Sequence, residues 1–278
     1  MNRMPSWIRQ HVAALRALLV LTAVTGIVYP LAVTGVAQAL FSGNANGSVI
    51  EKDGKAVGSS LIGQSFTDAD GNPVRKYFQS RPSAAGDGYD PTSTSASNLG
   101  PEDVIDVLPH GADAGKQSLL THVCARSRAV GELEGVSGAR PYCTPDGVGA
   151  VLKVFPDRAV SVNQACPATP FLPTYQGLTV ECAKPGEDYA AGRTVPVRGN
   201  SATPTVPADA VTASGSGLDP DISVAYAGLQ APRVAKERGM PVEQVRALID
   251  EHTTGRALGF MGEPAVNVLE LNLALDRS

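Results

Sequence analysis

An uncharged, mostly apolar run occupies the first part of the chain. No Asp, Glu, Lys or Arg lies between Arg16 and Glu51, and residues 17–41 are rich in Ala, Val and Leu. About 20 helical residues span the ~30 Å hydrocarbon core of a bilayer, so this run predicts a transmembrane helix over 17–41. Gly26 and Pro30 lie near its middle and predict a disturbance in that helix.

The charges before the run predict its orientation. Arg3, Arg9 and Arg16 precede it with no acidic residue among them. Under the positive-inside rule, residues 1–16 are cytoplasmic and the chain after residue 41 is extracytoplasmic, anchored in the cell membrane by one pass. A cleaved signal peptide and a buried core helix are the alternatives. The run is longer than the ~7–15 apolar residues of a signal peptide, although Ala37-Gln38-Ala39 resembles a cleavage site.

Patterns beyond the run alternate between short elements and loops. Residues 48–64 predict two short strands around an Asp53-Gly54 turn, the second running to Ile62, and 77–101 predict a long loop rich in Ser, Gly and Pro. Residues 102–206 are dense in Pro and Gly and predict small strands and turns. The tract 199–208 is typical of a linker.

The C-terminal third predicts two helices and a strand. A helix is expected from Pro220 to Arg238, ending at Gly239, and a second one starts at Pro241 with apolar residues at helical spacing. Residues 269–275 alternate between Leu and other residues, which predicts a half-buried strand. The fold class expected is therefore α+β: one N-terminal transmembrane helix and an extracytoplasmic mixed α/β domain.

Four cysteines lie in the middle third of the chain, at Cys124, Cys143, Cys166 and Cys182. An even number outside the cytoplasm predicts two disulfides, and three pairings are possible. The wide spacing, without C-x-x-C or a nearby His pair, disfavours a zinc site.

Composition excludes some function classes and no catalytic motif stands out. The net charge is −4 and Lys and Arg do not cluster beyond the N-terminus, which disfavours nucleic-acid binding. Residues 111–118 are similar to a phosphate-binding loop but are one residue short between the glycines. The residues alone predict a protein that is not itself an enzyme, with no catalytic residue, metal or bound cofactor.

Seven motifs in order resemble one family, the C subunit of the Kdp potassium-transporting ATPase. They cover roughly 20–101 and 207–277 and lie at 25–31, 46–48, 58–64, 77–83, 97–101, 211–219 and 266–276. Ser95-Ala96 stand where the family has Gly-Gly, so that a conformation with positive φ is expected to be lost there.

The resemblance implies an accessory subunit of a P-type potassium uptake complex. Its implied partners are a channel-like potassium-binding subunit, a P-type ATPase subunit and a small hydrophobic subunit, beside membrane lipid. The family is described as a catalytic chaperone that raises the ATP affinity of the pump subunit, so ATP and potassium belong to the complex. An extracytoplasmic domain has difficulty reaching ATP directly, which favours a role through packing.

The resemblance also divides the chain into parts. Residues 42–101 and 207–278 form the family's domain, and 102–206 form an inserted, disulfide-stapled module. We expect that module to be self-contained and removable, because loop insertions cost little closure entropy. The alternative is that it supplies core strands.

Candidate contact residues follow from the same motifs. Arg81, Asn98 and the Ser214–Gly217 turn are expected on one side of the domain, against a partner; the alternative is that they only shape loops. A stand-alone anchored binding or sensor domain is the competing function, and an anchored hydrolase a further one. The candidate residues are Tyr29, Pro30, Gly63, Gln64, Tyr77, Phe78, Arg81, Pro82, Ser83, Ser97, Asn98, Leu99, Gly100, Ser214, Gly215, Ser216, Gly217 and Asp219.

Overall fold

A computed structural model describes residues 4–199 and 203–277, and the chain divides into two compact units between Leu61 and Ile62. The first unit begins with a helix over Ser6–Leu40, long and apolar enough to cross a membrane. It comprises α1 (Ser6–Ala23), a π-helical turn (Val24–Val28) and α2 (Tyr29–Leu40). The π turn ends two residues before Pro30, which has no N–H and crowds the carbonyl four residues earlier, at Gly26 within the π turn. The predicted disturbance is therefore present as a π turn.

The rest of the first unit is short. Helix α3 (Ser42–Ala45) leads into a hairpin of β1 (Val49–Lys52) and β2 (Lys55–Ser59). Asp53 and Gly54 both have positive φ, at 53° and 72°, as a two-residue hairpin turn requires. The predicted hairpin is confirmed, with its second strand ending before Ile62.

Three helices and a small sheet build the main core of the second unit. Helices α5 (Val224–Arg238), α6 (Val242–Glu251) and α7 (Val268–Leu275) pack with the antiparallel sheet of β8 (Asp221–Ser223), β10 (Ala265–Asn267) and β9 (Thr253–Thr254). Phe78, from the long loop, is fully buried among them. Burying one large apolar side chain contributes about 1.5–3 kcal/mol, so this cluster dominates the stability of the unit.

Two predictions for this region are wrong. The helix expected from Pro220 starts at Val224, because residues 221–223 pair with β10 and the Ser223 side chain caps the helix by accepting from the Tyr226 N–H. The strand expected at 269–275 is helix α7, capped by Asn267. Its residues are buried on nearly all sides, so alternation of Leu does not indicate a two-sided strand. Helix α6 and the helix end at Gly239 are confirmed.

A five-stranded sheet forms the other half of the second unit. Its order is β5 (Thr174–Tyr175), β6 (Leu178–Ala183), β4 (Ala159–Ala165), β3 (Val151–Val154) and β7 (Arg193–Pro196). Only β4 and β6 are parallel neighbours among these described strands. Apolar clusters cover both faces, which explains why six of the seven residues of β4 are buried.

Helix α4 (Leu119–Glu134) is an element that the sequence patterns did not predict. The side chain of Ser118 caps its start and Gly135, at φ 69°, ends it. The buried residues of this helix are Thr121, Cys124, Ser127 and Gly131, which are small or polar. The sequence therefore shows no apolar periodicity that would have predicted the helix.

The helix also corrects the expectation of a self-contained insert. Val123 and Val130 on α4 pack against the main core, and the Arg126 Nη1 donates to the Val211 carbonyl at 3.1 Å. Residues 199–208 are not a plain linker either: Val206 is buried in that core, while residues 200–202 lie outside the described part. The predicted boundaries of the insert, 102 and 206, stay a prediction.

Candidate functional site

An extended segment around Phe78 is held by side-chain amides instead of a neighbouring strand. The Phe78 N–H donates to Asn272 Oδ1 at 2.8 Å, and Asn272 Nδ2 donates to the Phe78 carbonyl at 3.0 Å. Gln230 repeats the arrangement on Gln79, accepting at 2.7 Å and donating at 3.1 Å. Both amides come from buried helix positions, on α7 and α5, and satisfy backbone groups that burial would otherwise leave unpaired.

A buried ion pair between Arg233 and Glu134 contacts the backbone just before Phe78. Arg233 on α5 contacts both carboxylate oxygens of Glu134 at 3.0 Å, and their side chains are 3% and 0% exposed. The same guanidinium donates to the carbonyls of Arg75 and Tyr77 and to Gln230 Oε1. Burial raises the pKa of Glu134, and the positive charge of Arg233 opposes that shift. The pair joins the C-terminal end of α4 to the segment that carries the candidate residues.

Arg81 follows this segment and contacts Asp219, another candidate residue. Its Nη1 lies 2.7 Å from Asp219 Oδ2, and Nη2 reaches the Thr212 carbonyl at 3.5 Å. The Tyr89 hydroxyl donates to the Arg81 carbonyl at 2.8 Å. Burial raises the pKa of Tyr89 to about 12, with the Asp219 charge adding to the effect.

Ser83 fixes the turn that follows Arg81. Its Oγ donates to the Gly217 carbonyl at 2.7 Å and accepts from the N–H groups of Ala85 at 3.1 Å and Tyr89 at 2.9 Å. One hydroxyl therefore satisfies three backbone groups from two distant parts of the chain.

The Ser214–Gly217 turn closes against that first loop. The Ser214 N–H donates to the Pro82 carbonyl at 3.0 Å, and Ser214 Oγ accepts from the Gly217 N–H at 3.0 Å. The carbonyl of Ser216 accepts from the Ser95 N–H at 3.1 Å. Gly217 has φ 74°, which explains glycine at that position.

Gly63 sits where a side chain does not fit. A Cβ on this residue would lie 2.3 Å from the Asp219 carbonyl oxygen and 2.4 Å from the Tyr89 ring. The next residue, Gln64, accepts from Ser80 Oγ through its carbonyl at 2.9 Å. The 63–64 motif therefore packs directly against the Arg81 and Asp219 motifs.

We call the residues joined by these bonds the loop cluster: Gly63, Gln64, Arg81, Pro82, Ser83, Tyr89, Ser214, Ser216, Gly217 and Asp219. Three of the sequence motifs, 58–64, 77–83 and 211–219, meet in it, together with Tyr89, which lies outside all seven motifs. Its hydrogen bonds are internal, which accounts for the shapes of the loops; contact of the loop cluster with a partner stays a prediction.

The remaining candidate residues lie elsewhere. Ser97 and Asn98 are exposed, Leu99 and Gly100 are partly exposed, and positive φ occurs at Asn98 (53°), with none at Ser95-Ala96. Tyr77 carries Arg238 on its ring, at 5.1 Å from the centroid, and donates its hydroxyl to Asp276. Tyr29 and Pro30 belong to the first unit, and Gly215 is an exposed part of the Ser214–Gly217 turn.

A cleft of about 450 Å³ adjoins the loop cluster. Arg81, Tyr89 and Tyr226 line it together with Arg126 and Leu133 of α4. Arg126 is partly buried, and burial lowers the pKa of its guanidinium. The sequence patterns singled out neither Arg126 nor the two tyrosines, because nothing in their spacing indicates that α4 approaches the loops.

The four cysteines form two disulfides, Cys124–Cys143 and Cys166–Cys182, which leaves none free. The first ties α4 to the loop after it, and the second joins the ends of β4 and β6. The prediction of two intramolecular bonds is confirmed, and the structure selects the pairing of consecutive cysteines.

A family model described as "K+-transporting ATPase, c chain" (KdpC) matches residues 11–108 and 186–277, well over half of the chain. This chain belongs to the KdpC family. The potassium-transporting ATPase KdpC subunit of Mycobacterium tuberculosis (strain H37Rv) is 41% identical over 269 residues, covering 97% of this chain and 98% of that protein. The KdpC subunits of Streptomyces coelicolor and Kineococcus radiotolerans are 43% and 40% identical over 273 and 268 residues, covering 96% of this chain in each case and 92% and 93% of those proteins.

The family match includes the loop cluster but not helix α4, which packs against the same core. Every member of the loop cluster lies in the two matched ranges, whereas α4 and all four cysteines lie in the unmatched stretch 109–185. The three relatives align across nearly the whole chain, so their similarity extends through that stretch. In this KdpC-family chain, Glu134 and Arg126 therefore bring residues from outside the family match into contact with the common core.

Proposed function

We propose that this chain is a non-catalytic accessory subunit of an ATP-driven, high-affinity potassium uptake complex, required for assembly of that complex. Its family membership is the main support for the proposal. The family match includes every residue of the loop cluster, and the relatives that align over nearly the whole chain are potassium-transporting ATPase subunits. Similarity along the whole length to pump subunits leaves the stand-alone sensor domain without a favouring observation.

The partners follow from that assignment. They are the channel-like potassium-binding subunit, the P-type ATPase subunit and the small hydrophobic subunit of the same complex, with lipid around the helix of the first unit. In this proposal ATP and potassium are bound by the complex, and this chain holds no cofactor of its own. Residues 1–16 lie in the cytoplasm and the second unit lies outside.

Two observations support that orientation. Three arginines without acidic neighbours precede the helix, and two disulfides cross-link the second unit, as is usual outside the reducing cytoplasm. ATP is then on the other side of the membrane. The chain raises the ATP affinity of the pump subunit by shifting a conformational equilibrium of the complex, without touching the nucleotide.

The loop cluster supplies a rigid surface for this role. Arg81, Ser83 and Ser214 each bridge backbone segments far apart in sequence, so the surface they support keeps one shape. We propose that this surface holds the second unit against its partner, together with the Ser97–Gly100 loop, which follows Tyr89 in the chain and is exposed at Ser97 and Asn98. A preformed surface loses less conformational entropy on binding.

Co-expression tests the assignment. The tagged chain is co-expressed with the other subunits of a KdpC-containing pump, extracted in mild detergent and purified, and potassium-stimulated ATP hydrolysis is measured with and without it. We expect the other subunits to copurify with the tagged chain. The preparation made without it is expected to contain less assembled complex, and the complex that does form is expected to need a higher ATP concentration. Recovery of the tagged chain alone, while the other subunits remain together, would contradict the proposal.

Orientation has its own test. After mild reduction, a membrane-impermeant thiol reagent is expected to label the four cysteines in intact cells. Labelling that requires lysis would place the second unit in the cytoplasm.

A further inference from the structure

The cleft of about 450 Å³ beside the loop cluster contains polar groups to which the described residues, 4–199 and 203–277, give no partner. Its volume lies in the range of small-molecule sites, which are mostly apolar and contain a few polar groups that fix the ligand. Three donors, on Tyr226, Arg126 and Arg81, decide which kind of ligand this cleft suits.

Tyr226 supplies a buried hydroxyl. The residue lies in the main core with only 3% of its surface exposed, and it lines the cleft. Its hydroxyl makes no hydrogen bond with any residue of the described chain. The oxygen is nevertheless not sealed inside the protein, so the small exposed fraction opens it to the cleft. Because a buried hydroxyl without a partner is costly, it marks a position that a ligand oxygen can complete.

Arg126 supplies the positive charge. Its Nη1 donates to the Val211 carbonyl at 3.1 Å, and no carboxylate of the described chain lies within ion-pair distance of the guanidinium. Burial lowers the pKa of Arg126, and no acidic group opposes that shift. The group still stays protonated at neutral pH. A partly buried guanidinium with one carbonyl partner has N–H groups left for an anion.

Arg81 adds a donor but little net charge. Its Nη1 pairs with Asp219, whereas its Nε is buried without a hydrogen-bond partner in the described chain. The lining residue with a carboxylate is Asp87, which is exposed and therefore screened by water and salt. The charge that remains uncompensated is the single positive charge of Arg126, which suits a monoanion.

The rest of the lining indicates what carries that negative charge. It is largely apolar and includes Phe66, Pro73, Ala129, Val130 and Leu133. An inorganic anion leaves this surface uncovered, whereas an organic acid covers it with its apolar body. A planar carboxylate also matches the fork of a guanidinium. A phosphate ester brings a second charge, for which the described lining offers no third cation.

We propose that the cleft binds a small organic monocarboxylate: Arg126 holds the carboxylate, and the Tyr226 hydroxyl donates to an oxygen of the same ligand. The site combines α4, which lies outside the family match, with residues inside it. KdpC-family chains without this helix are therefore expected to lack the site. The inference goes beyond the proposed function and does not depend on it, because the second unit supplies every lining residue.

The test is binding of 4-fluorobenzoate to the purified full chain in detergent, followed by fluorine NMR of the ligand. We expect a Kd of about 1 mM or tighter, as suits so small a molecule. The matched ligand 4-fluorobenzamide has the same shape without the charge, and inorganic phosphate lacks the apolar body. Both are expected to bind at least about tenfold more weakly.

Y226F and R126M each remove one proposed donor, and R140M is the matched control. Arg140 is also partly buried and donates to a backbone carbonyl, that of Val206 at 2.6 Å, but it lines a different cleft. We expect Y226F and R126M to weaken binding of 4-fluorobenzoate at least about tenfold each, and R140M to leave it unchanged. Since the Tyr226 hydroxyl has no partner in the described chain, Y226F should leave the Tm without ligand unchanged or higher.

Four results would overturn the proposal. They are no binding of 4-fluorobenzoate at millimolar concentration, equal binding of 4-fluorobenzamide, tighter binding of phosphate, and binding that survives both Y226F and R126M. A lower Tm of Y226F without ligand would also count against it, because the hydroxyl would then serve the fold. None of these measurements involves another pump subunit, so their failure leaves the proposed function untouched.

Discussion

Replacing Glu134 by glutamine tests whether α4 is part of the core. The substitution keeps the size of the side chain but removes the charge that neutralises Arg233, and the two side chains are 0% and 3% exposed. Breaking a buried pair by removing one partner costs about 3–5 kcal/mol. Glutamine still offers one acceptor, so we expect a loss of about 3 kcal/mol, at the lower end of that range. For a unit of this size, that loss lowers the Tm by roughly 6–12 °C.

The measurement is urea unfolding of the full chain in detergent, with disulfides intact, followed by near-ultraviolet circular dichroism of the buried tyrosines. E132Q is the matched control, because Glu132 lies on the same helix but is 65% exposed in a surface pair with Arg128. That pair contributes less than about 0.5 kcal/mol. Equal losses for E134Q and E132Q, or a loss below about 1 kcal/mol for E134Q, would refute the structural role given to the buried pair.

Three further predictions concern the same unit. G63A is expected to lower the free energy of unfolding by about 1–3 kcal/mol in the same urea assay, since its Cβ would lie 2.3 Å from the Asp219 carbonyl oxygen. G215A is the control and is expected to be nearly neutral, because a Cβ at Gly215 would have nothing within 4 Å. Equal effects of the two variants would contradict the close approach of Gly63 to Asp219. Because the pKa of Tyr89 is raised to about 12 when folded and lies near 10 when unfolded, its contribution is full below about pH 10 and is lost as pH rises toward 12. Y89F should therefore lose less stability than wild type between about pH 10 and 12, and parallel losses would argue against the shift. Replacing residues 109–185 by a Gly/Ser linker removes Glu134, the carboxylate that neutralises the buried Arg233, so we expect aggregated or degraded protein. A deletion variant that unfolds cooperatively would show that α4 is dispensable.

The sequence by itself determined the features that depend on local pattern. The uncharged run, the Asp53-Gly54 hairpin and helix α6 each carry a signal within a few residues, because bilayer thickness, turn conformation and helical period act locally. Four cysteines in one region predicted two disulfides, because an even number of cysteines outside the cytoplasm is typical of disulfide bonds. Their pairing could not be read, since spacing alone does not say which Cβ atoms face each other.

Motif order predicted the family, and with it most members of the loop cluster, but not what those residues contact. Arg81 and Asp219 are 138 positions apart, and their 2.7 Å contact exists only because the two loops fold onto each other. Tyr89 was missed although its hydroxyl and ring lie at the centre of the loop cluster, because a single tyrosine in a Gly-rich loop carries no periodic signal.

Only the tertiary structure decided the nature of α4 and α7. The alternating leucines of α7 are typical of a strand that faces water on one side. This segment is instead enclosed by protein, so the residues between the leucines are not exposed and the alternation does not indicate a strand. Helix α4 has the opposite property: small and polar residues form its buried stripe, because the chain after it runs so close that a Cβ at Gly131 would lie 2.5 Å from the Gly138 nitrogen. Whether a residue is buried is a property of the assembled fold, and sequence periodicity reports it only where one face meets water.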